Sequence, residues 1–139
     1  FRLADAFNIE KIVFCGTPVN LESNRLKRTA RSTVENVENE FRENSEETLH
    51  HFLNKSYKPI GLELTSDSCF LGSLSLENEN RILLVIGNER HGISPELLVK
   101  IETKVHINMF GRNSSMNVSQ ATGIALYEIT KTLPPFDEK

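Results

Sequence analysis

Apolar residues recur along the chain in two alternating patterns, short runs of β-formers and helical spacings of three and four. Phe1, Leu3, Ala4 and Phe7, with Arg2 and Asp5 among them, read as an amphipathic helix. Because it has neither an N-cap nor an initiating methionine, the true N-terminus is expected upstream. Residues 11–15, Lys-Ile-Val-Phe-Cys, stop at Gly16-Thr17-Pro18 and predict a buried strand. Residues 21–31 set Leu26 and Ala30 four apart among Arg25, Lys27, Arg28 and Arg31, which predicts a short helix with a basic side. Val34, Val37 and Phe41, set among charges, fit a brief strand with a loop. Ser45-Glu46-Glu47 supplies a capping hydroxyl and early carboxylates to a helix whose apolar face is Leu49, Phe52 and Leu53.

Residues 59–64, Pro-Ile-Gly-Leu-Glu-Leu, predict a strand that the polar turn Thr65-Ser66-Asp67-Ser68 ends. Residues 81–86 are apolar on both faces, as in a central parallel strand. Ser94-Pro95-Glu96 places a cap, a first-position proline and an early acid at a helix start. Residues 105–107 predict a last strand. Residues 117–132, with Ala121, Ile124, Ala125 and Ile129, predict a closing helix stopped by Pro134-Pro135. Strands alternating with helices imply an α/β fold, a mainly parallel sheet flanked by helices, and 139 residues suit a single domain.

Charge narrows the functional classes. Sixteen basic residues against 19 acidic ones give a net charge of −3, which argues against a generally basic nucleic-acid binder. Any RNA contact must therefore be local, and the helix carrying Arg25, Lys27, Arg28 and Arg31 is the best local cationic patch, although such a face is more often simply solvated. No apolar run reaches membrane-spanning length and no leader is recognisable, so the reading is a cytoplasmic protein with no membrane association. Cys15 and Cys69 lack Cys-x-x-Cys spacing, and His50, His51, His91 and His106 lack metal-ligand spacing. Reduced thiols and no metal are expected.

The candidate chemistry lies in two polar segments that follow predicted strands: residues 87–92, Gly-Asn-Glu-Arg-His-Gly, and residues 108–117, Asn-Met-Phe-Gly-Arg-Asn-Ser-Ser-Met-Asn. In α/β folds ligands sit beyond the carboxyl ends of strands. Gly87 and Gly92 suit close approach of backbone to a neutral heterocycle, and suit a tight turn equally well. No Lys-Ser or Lys-Thr follows Gly92, so the segment is not a phosphate loop.

Residues 86–93, Ile-Gly-Asn-Glu-Arg-His-Gly-Ile, resemble the second motif of the SpoU-like (also called TrmH-like) methyltransferases. Ile107-Asn108-Met109, followed by Ser115-Met116-Asn117-Val118-Ser119-Gln120-Ala121 and Leu126-Tyr127-Glu128, resembles their third motif in the same order and at similar spacing. Residues 1–7 resemble the second half of the first motif, and the resemblance runs to about Lys131. The family usually has proline at the place of Asn108 and leucine at that of Met116, and the asparagine-glycine half of its first motif has no counterpart here.

The resemblance implies a knotted α/β fold in which the C-terminal segment passes through a loop as a trefoil, a rare arrangement that spacing alone would never suggest. It implies S-adenosyl-L-methionine as cofactor, bound by Gly87, Ile107 and Met116 with Glu63 close by. It implies catalytic or site-arranging roles for Arg2, Glu89, Ser115 and Asn117, RNA contacts from Arg25, Lys27, Arg28, Arg31 and Arg112, and a homodimer in which the active site is completed at the subunit interface. The implied reaction is methylation of a ribose 2′-hydroxyl of tRNA or rRNA. A base-nitrogen methyltransferase of the same fold and a silent RNA-binding or cofactor-sensing module remain open beside it.

Overall fold

The alternating patterns form six α-helices and six strands among the described residues, and every strand pairing is parallel. The computed structural model describes residues 1–30 and 32–131, which divide into two compact units, Phe1–Thr48 and Leu49–Lys131. Arg31 and the predicted stop at Pro134-Pro135 lie outside the described residues.

In the first unit, α1 (Arg2–Ala6) precedes β1 (Lys11–Cys15), and α2 (Asn24–Ala30) and α3 (Thr33–Asn36) precede β2 (Glu38–Arg42). Strands β1 and β2 pair from Lys11 opposite Glu38 to Cys15 opposite Arg42. Lys11 Nζ lies 2.7 Å from Glu38 Oε1 at the start of that register. The Phe1 and Phe14 rings meet with centroids 5.8 Å apart, and Ala4, Ala30 and Val37 are buried. Strand β1 was expected to be buried but is half-buried, because a two-stranded sheet covers each strand along one edge only. The stretch read as a brief strand with a loop is a helical turn followed by β2; Thr33 anchors the turn by donating its hydroxyl hydrogen to Ala30 O.

Helix α4 (Ser45–Asn54) begins one residue earlier than its expected cap allows. The cap is Asn44, whose Oδ1 accepts from Glu47 N–H at 3.0 Å, and Ser45 is the first helical residue. Asparagine serves as well as serine here because both put an oxygen within reach of the orphan N–H groups. Leu49 and Phe52 are buried as the helical spacing predicts, whereas Leu53, expected on the same face, is exposed. Phe52 meets Tyr57 edge-on at 5.2 Å, and Arg81 lies over the Tyr57 ring.

In the second unit, β3 (Lys58–Leu62), β4 (Cys69–Phe70), β5 (Ile82–Ile86) and β6 (Thr103–His106) form one sheet in the order β4-β6-β3-β5. Strand β5, read as central from its apolar faces, stands at the end of this order and is half-buried. The interior positions belong to β6 and β3, and Ile60 of β3 is fully buried beside Val105 of β6, Leu71 and Ala125. Leu71 opens a single 3₁₀ turn (Leu71–Ser73), against which α6 (Val118–Thr130) packs. The short α5 (Pro95–Leu98) starts as expected, with Ser94 Oγ accepting from Leu97 N–H. Strand β4 was not foreseen, since two residues carry no periodicity.

Burial sets the energetic weight of these positions. Ile60→Ala should lower stability by about 2–5 kcal/mol, because the interior of the sheet cannot close over the deleted atoms. Val99→Ala, at an exposed position, should change it by about 0.5 kcal/mol or less. Denaturant unfolding of the two variants measures the contrast.

Candidate functional site

Parallel pairing brings the carboxyl ends of three strands to one edge of the second unit, with Leu62 of β3 opposite both Ile86 of β5 and Val105 of β6. The segments leaving that edge are residues 63–68, 87–93 and 107–117. They hold most of the residues that the sequence singles out.

Residues 88–92 close on themselves. Asn88 N–H donates to Gly92 O at 3.1 Å, Gly92 N–H donates to Asn88 O at 2.9 Å, and Arg90 N–H donates to Asn88 Oδ1 at 2.7 Å. The turn needs Gly92 at φ +67°, a left-handed conformation that side chains resist. A Cβ there would stand 2.4 Å from Glu63 Oε2, and a Cβ on Gly87 would stand 2.1 Å from the Gly92 carbonyl carbon. Both glycines are thus demanded by closure of the loop on itself and on Glu63. Of the two uses the sequence allows, the tight turn is the one visible in the geometry.

Glu63 is the fastener. Its Oε2 accepts from Ile93 N–H at 2.9 Å, and its own N–H donates to Val105 O at 3.0 Å. One residue therefore ties the exit of β3 to β6 and to the segment leaving β5. It was expected near a cofactor; in the structure its carboxylate holds the end of the loop that leaves β5.

The exit of β6 is held from the opposite side. Lys104 and His106, two apart and so on one face of the strand, both meet the turn at residues 65–68. Lys104 Nζ donates to Asp67 Oδ2 at 2.9 Å, and Thr65 Oγ1 donates to Asp67 Oδ1 at 2.8 Å. Ser68 Oγ lies 2.9 Å from His106 Nδ1, and His106 Nε2 lies 3.2 Å from Asn108 Oδ1, the first side chain of the third segment. The hydrogen bond from the Lys104 ammonium, helped by that from Thr65, holds the Asp67 carboxyl below its ordinary range. Asp67, Ser68, Lys104 and His106 were not singled out as site residues from sequence. The alternate spacing of Lys104 and His106 opposite a polar turn was the available signal.

The remaining predicted residues fall as follows. Glu89 and Arg112 are exposed on their loops, Ile107 and Met116 are half-buried, and Ser115 is exposed. Asn117 caps α6, its Oδ1 accepting from Ser119 N–H at 2.8 Å. Arg2 opens α1 in the first unit and is exposed. Arg25, Lys27 and Arg28 lie exposed along α2, also in the first unit, with Lys27 Nζ 2.6 Å from Glu22 Oε2. The second unit therefore brings together Glu63, Gly87, Glu89, Ile107, Ser115, Met116 and Asn117 on segments that share an edge.

The edge also carries exposed apolar surface and, among the described residues, free main-chain donors. Ile86 and Met109 present apolar surface at 44% and 37% exposure, and among the described residues the N–H groups of Met109, Phe110 and Gly111 have no main-chain partner. Among the described residues no cluster of three or more His, Cys, Asp or Glu side chains could hold a metal ion, and no helix is long and apolar enough to cross a membrane.

Residues 1–127 match the SpoU rRNA Methylase family model. Over 86 residues, 62% of this chain and 40% of the relative, the sequence is 35% identical to the tRNA (guanosine(18)-2′-O)-methyltransferase of Aquifex aeolicus. Among solved structures, the AdoMet-bound rRNA methyltransferase of Sinorhizobium meliloti is similar in fold, with a TM-score of 0.87 at 24% identity, over 96% of this chain and 50% of that one. The TrmH/SpoU tRNA-modifying enzyme of Aquifex aeolicus has a TM-score of 0.78 at 27% identity, over 94% of this chain and 64% of that one. The chain spans less than two thirds of the length of each of these relatives.

Two measurements probe the edge. Gly92→Ala should cost about 1–3 kcal/mol in unfolding free energy, for the left-handed backbone and the collision with Glu63 together. In a Glu63→Ala background the same substitution should cost less, a non-additivity that a double-mutant cycle reads directly. Asp67 should titrate below an ordinary aspartate when followed by carboxyl NMR. Because its folded value is depressed, its contribution is present above the unfolded value and is lost as pH falls through the folded one. Lys104→Met should return the titration toward the ordinary range.

Proposed function

The chain belongs to the SpoU rRNA methylase family, and on that footing we propose that it transfers a methyl group from S-adenosyl-L-methionine to a ribose 2′-hydroxyl of tRNA or rRNA. The observation that supports this reading is that residues 87–93 and 107–117, both inside the span that matches the family model, leave the same carboxyl-end edge of one parallel sheet. S-adenosyl-L-methionine, when bound, supplies an electrophilic methyl group on a sulfonium. Gly87, Ile107 and Met116 would hold it through main-chain groups, beside the apolar surface of Ile86 and Met109.

A ribose hydroxyl is a weak nucleophile, so the protein's work is to place it, polarise it and keep it in line. Ser115 is exposed in the loop just before α6, and Asn117 caps that helix at residue 118; both offer hydrogen-bonding groups of either polarity to the ribose. Glu89 projects from a loop closed by its own main-chain bonds, which suits it to orient a cationic partner. Arg2 holds the neighbouring phosphate so that this phosphate assists removal of the hydroxyl proton. A guanidinium, locked in its charged form, suits that duty better than the duty of base.

The same reading includes the C-terminal trefoil, a reducing cytoplasmic setting for the two exposed thiols, and assembly as a homodimer in which Arg2 serves the substrate of the other copy. Exposed Ile124 and Tyr127, three apart on α6, support a second copy as the cover for that helix. Arg25, Lys27, Arg28 and Arg112 would contact phosphates, and Arg31, outside the described residues, belongs to the same proposal. Pairing two copies doubles this basic surface, which helps an acidic chain hold RNA.

Tritium transfer from labelled S-adenosyl-L-methionine to total RNA tests the reading, using the full-length protein. Label in nucleosides that resist alkaline cleavage is the expected result. Label in alkali-sensitive positions assigns base methylation, and cofactor binding without label assigns a silent module. Arg2→Ala should abolish transfer while leaving the calorimetric binding of S-adenosylhomocysteine intact; undiminished turnover would refute the role given to Arg2.

A further inference from the structure

We propose that Phe110 is a stacking platform for an unpaired nucleobase of the RNA substrate, with Arg112 engaging the adjoining phosphate. This deepens, and rests on, the RNA-modifying reading above. Phe110 is 96% exposed, the most open of the large apolar side chains among the described residues. Such a ring contributes nothing to folding where it stands, and leaving it in water is unfavourable. It lies on the same segment as Ser115 and Asn117, five and seven residues before them.

The character of that occupant is written in the charge around the loop. Acidic residues recur through this chain, yet no Asp or Glu stands between Glu102 and Glu128, its longest stretch free of carboxylates. Within that stretch lie Lys104 and Arg112, and Lys104 is already engaged by Asp67. Arg112 is exposed and two residues from the ring, separated from it by Gly111, around which there is open space. An aromatic face beside a guanidinium, in a region cleared of negative charge, fits a base and its phosphate. It fits an apolar protein surface less well, because such a surface gives the arginine nothing to bind.

The test uses an unstructured RNA oligonucleotide carrying one 2-aminopurine, whose fluorescence falls when the base stacks. The protein should quench it. Phe110→Ala should weaken binding by roughly 5- to 100-fold, the range that loss of one base–aromatic stack produces. Phe110→Tyr and Phe110→Trp should restore quenching and affinity, Phe110→Leu should not, and all should keep the unfolding midpoint of the parent protein, because the ring is exposed.

Equal affinity for the parent and Phe110→Ala overturns the proposal. So does full affinity in Phe110→Leu, or a shift of Phe110→Ala to a smaller assembly in sedimentation, which would assign the ring to a contact between copies. A protein that methylates no RNA, yet quenches the probe only with an aromatic at position 110, would sink the methyltransfer reading and leave this one standing.

Discussion

A single glutamate at the exit of β3, one of the two interior strands, ties together three strand exits of the second unit. Glu63 accepts the Ile93 N–H at the far end of the loop that leaves β5, and its backbone reaches β6. Gly92 is confined to glycine by that carboxylate as much as by its own backbone angle, and Gly87 by the carbonyl that the closed loop brings over it. A charge placed where it must be satisfied dictates the residues around it. Three positions widely separated in sequence thus form one mechanical unit.

Opposite this fastening, β6 is secured by side chains rather than by main chain. Lys104 and His106 reach the turn after β3, and His106 passes the connection on to Asn108. The family resemblance puts a proline at the place of Asn108. A ring would fix the chain direction there covalently, whereas this chain has an amide held by an imidazole. The direction of the third segment is therefore tied to the same turn that Asp67 and Ser68 build.

How legible this was in the sequence depended on the range of the physics involved. Helix starts with local chemistry were readable, as Ser94-Pro95 and Asn117 show. The cap of α4 was misplaced by one residue because Asn44 and Ser45 are both good caps and only geometry selects between them. Strand β5 was found, but its place at the end of the sheet was not, since apolar content reports burial and not neighbour order. The loops at Gly87 and Asn108 were identified by motif and the tight turn was among the uses read for the glycines, while the constraint that Glu63 puts on Gly92 was invisible, because it comes from more than twenty residues earlier. The network of Ser68, Lys104 and His106 was missed for the same reason: it joins a turn to a strand across almost forty residues.

The strand order carries a consequence for how the second unit is made. Strand β6 lies between β3 and β4, both of which precede it in the chain. During synthesis the two earlier strands must wait, their facing edges unsatisfied, until a segment emerging some thirty residues later enters the slot. Such late insertion makes folding slow relative to size and leaves strand edges open to intermolecular pairing in the interval.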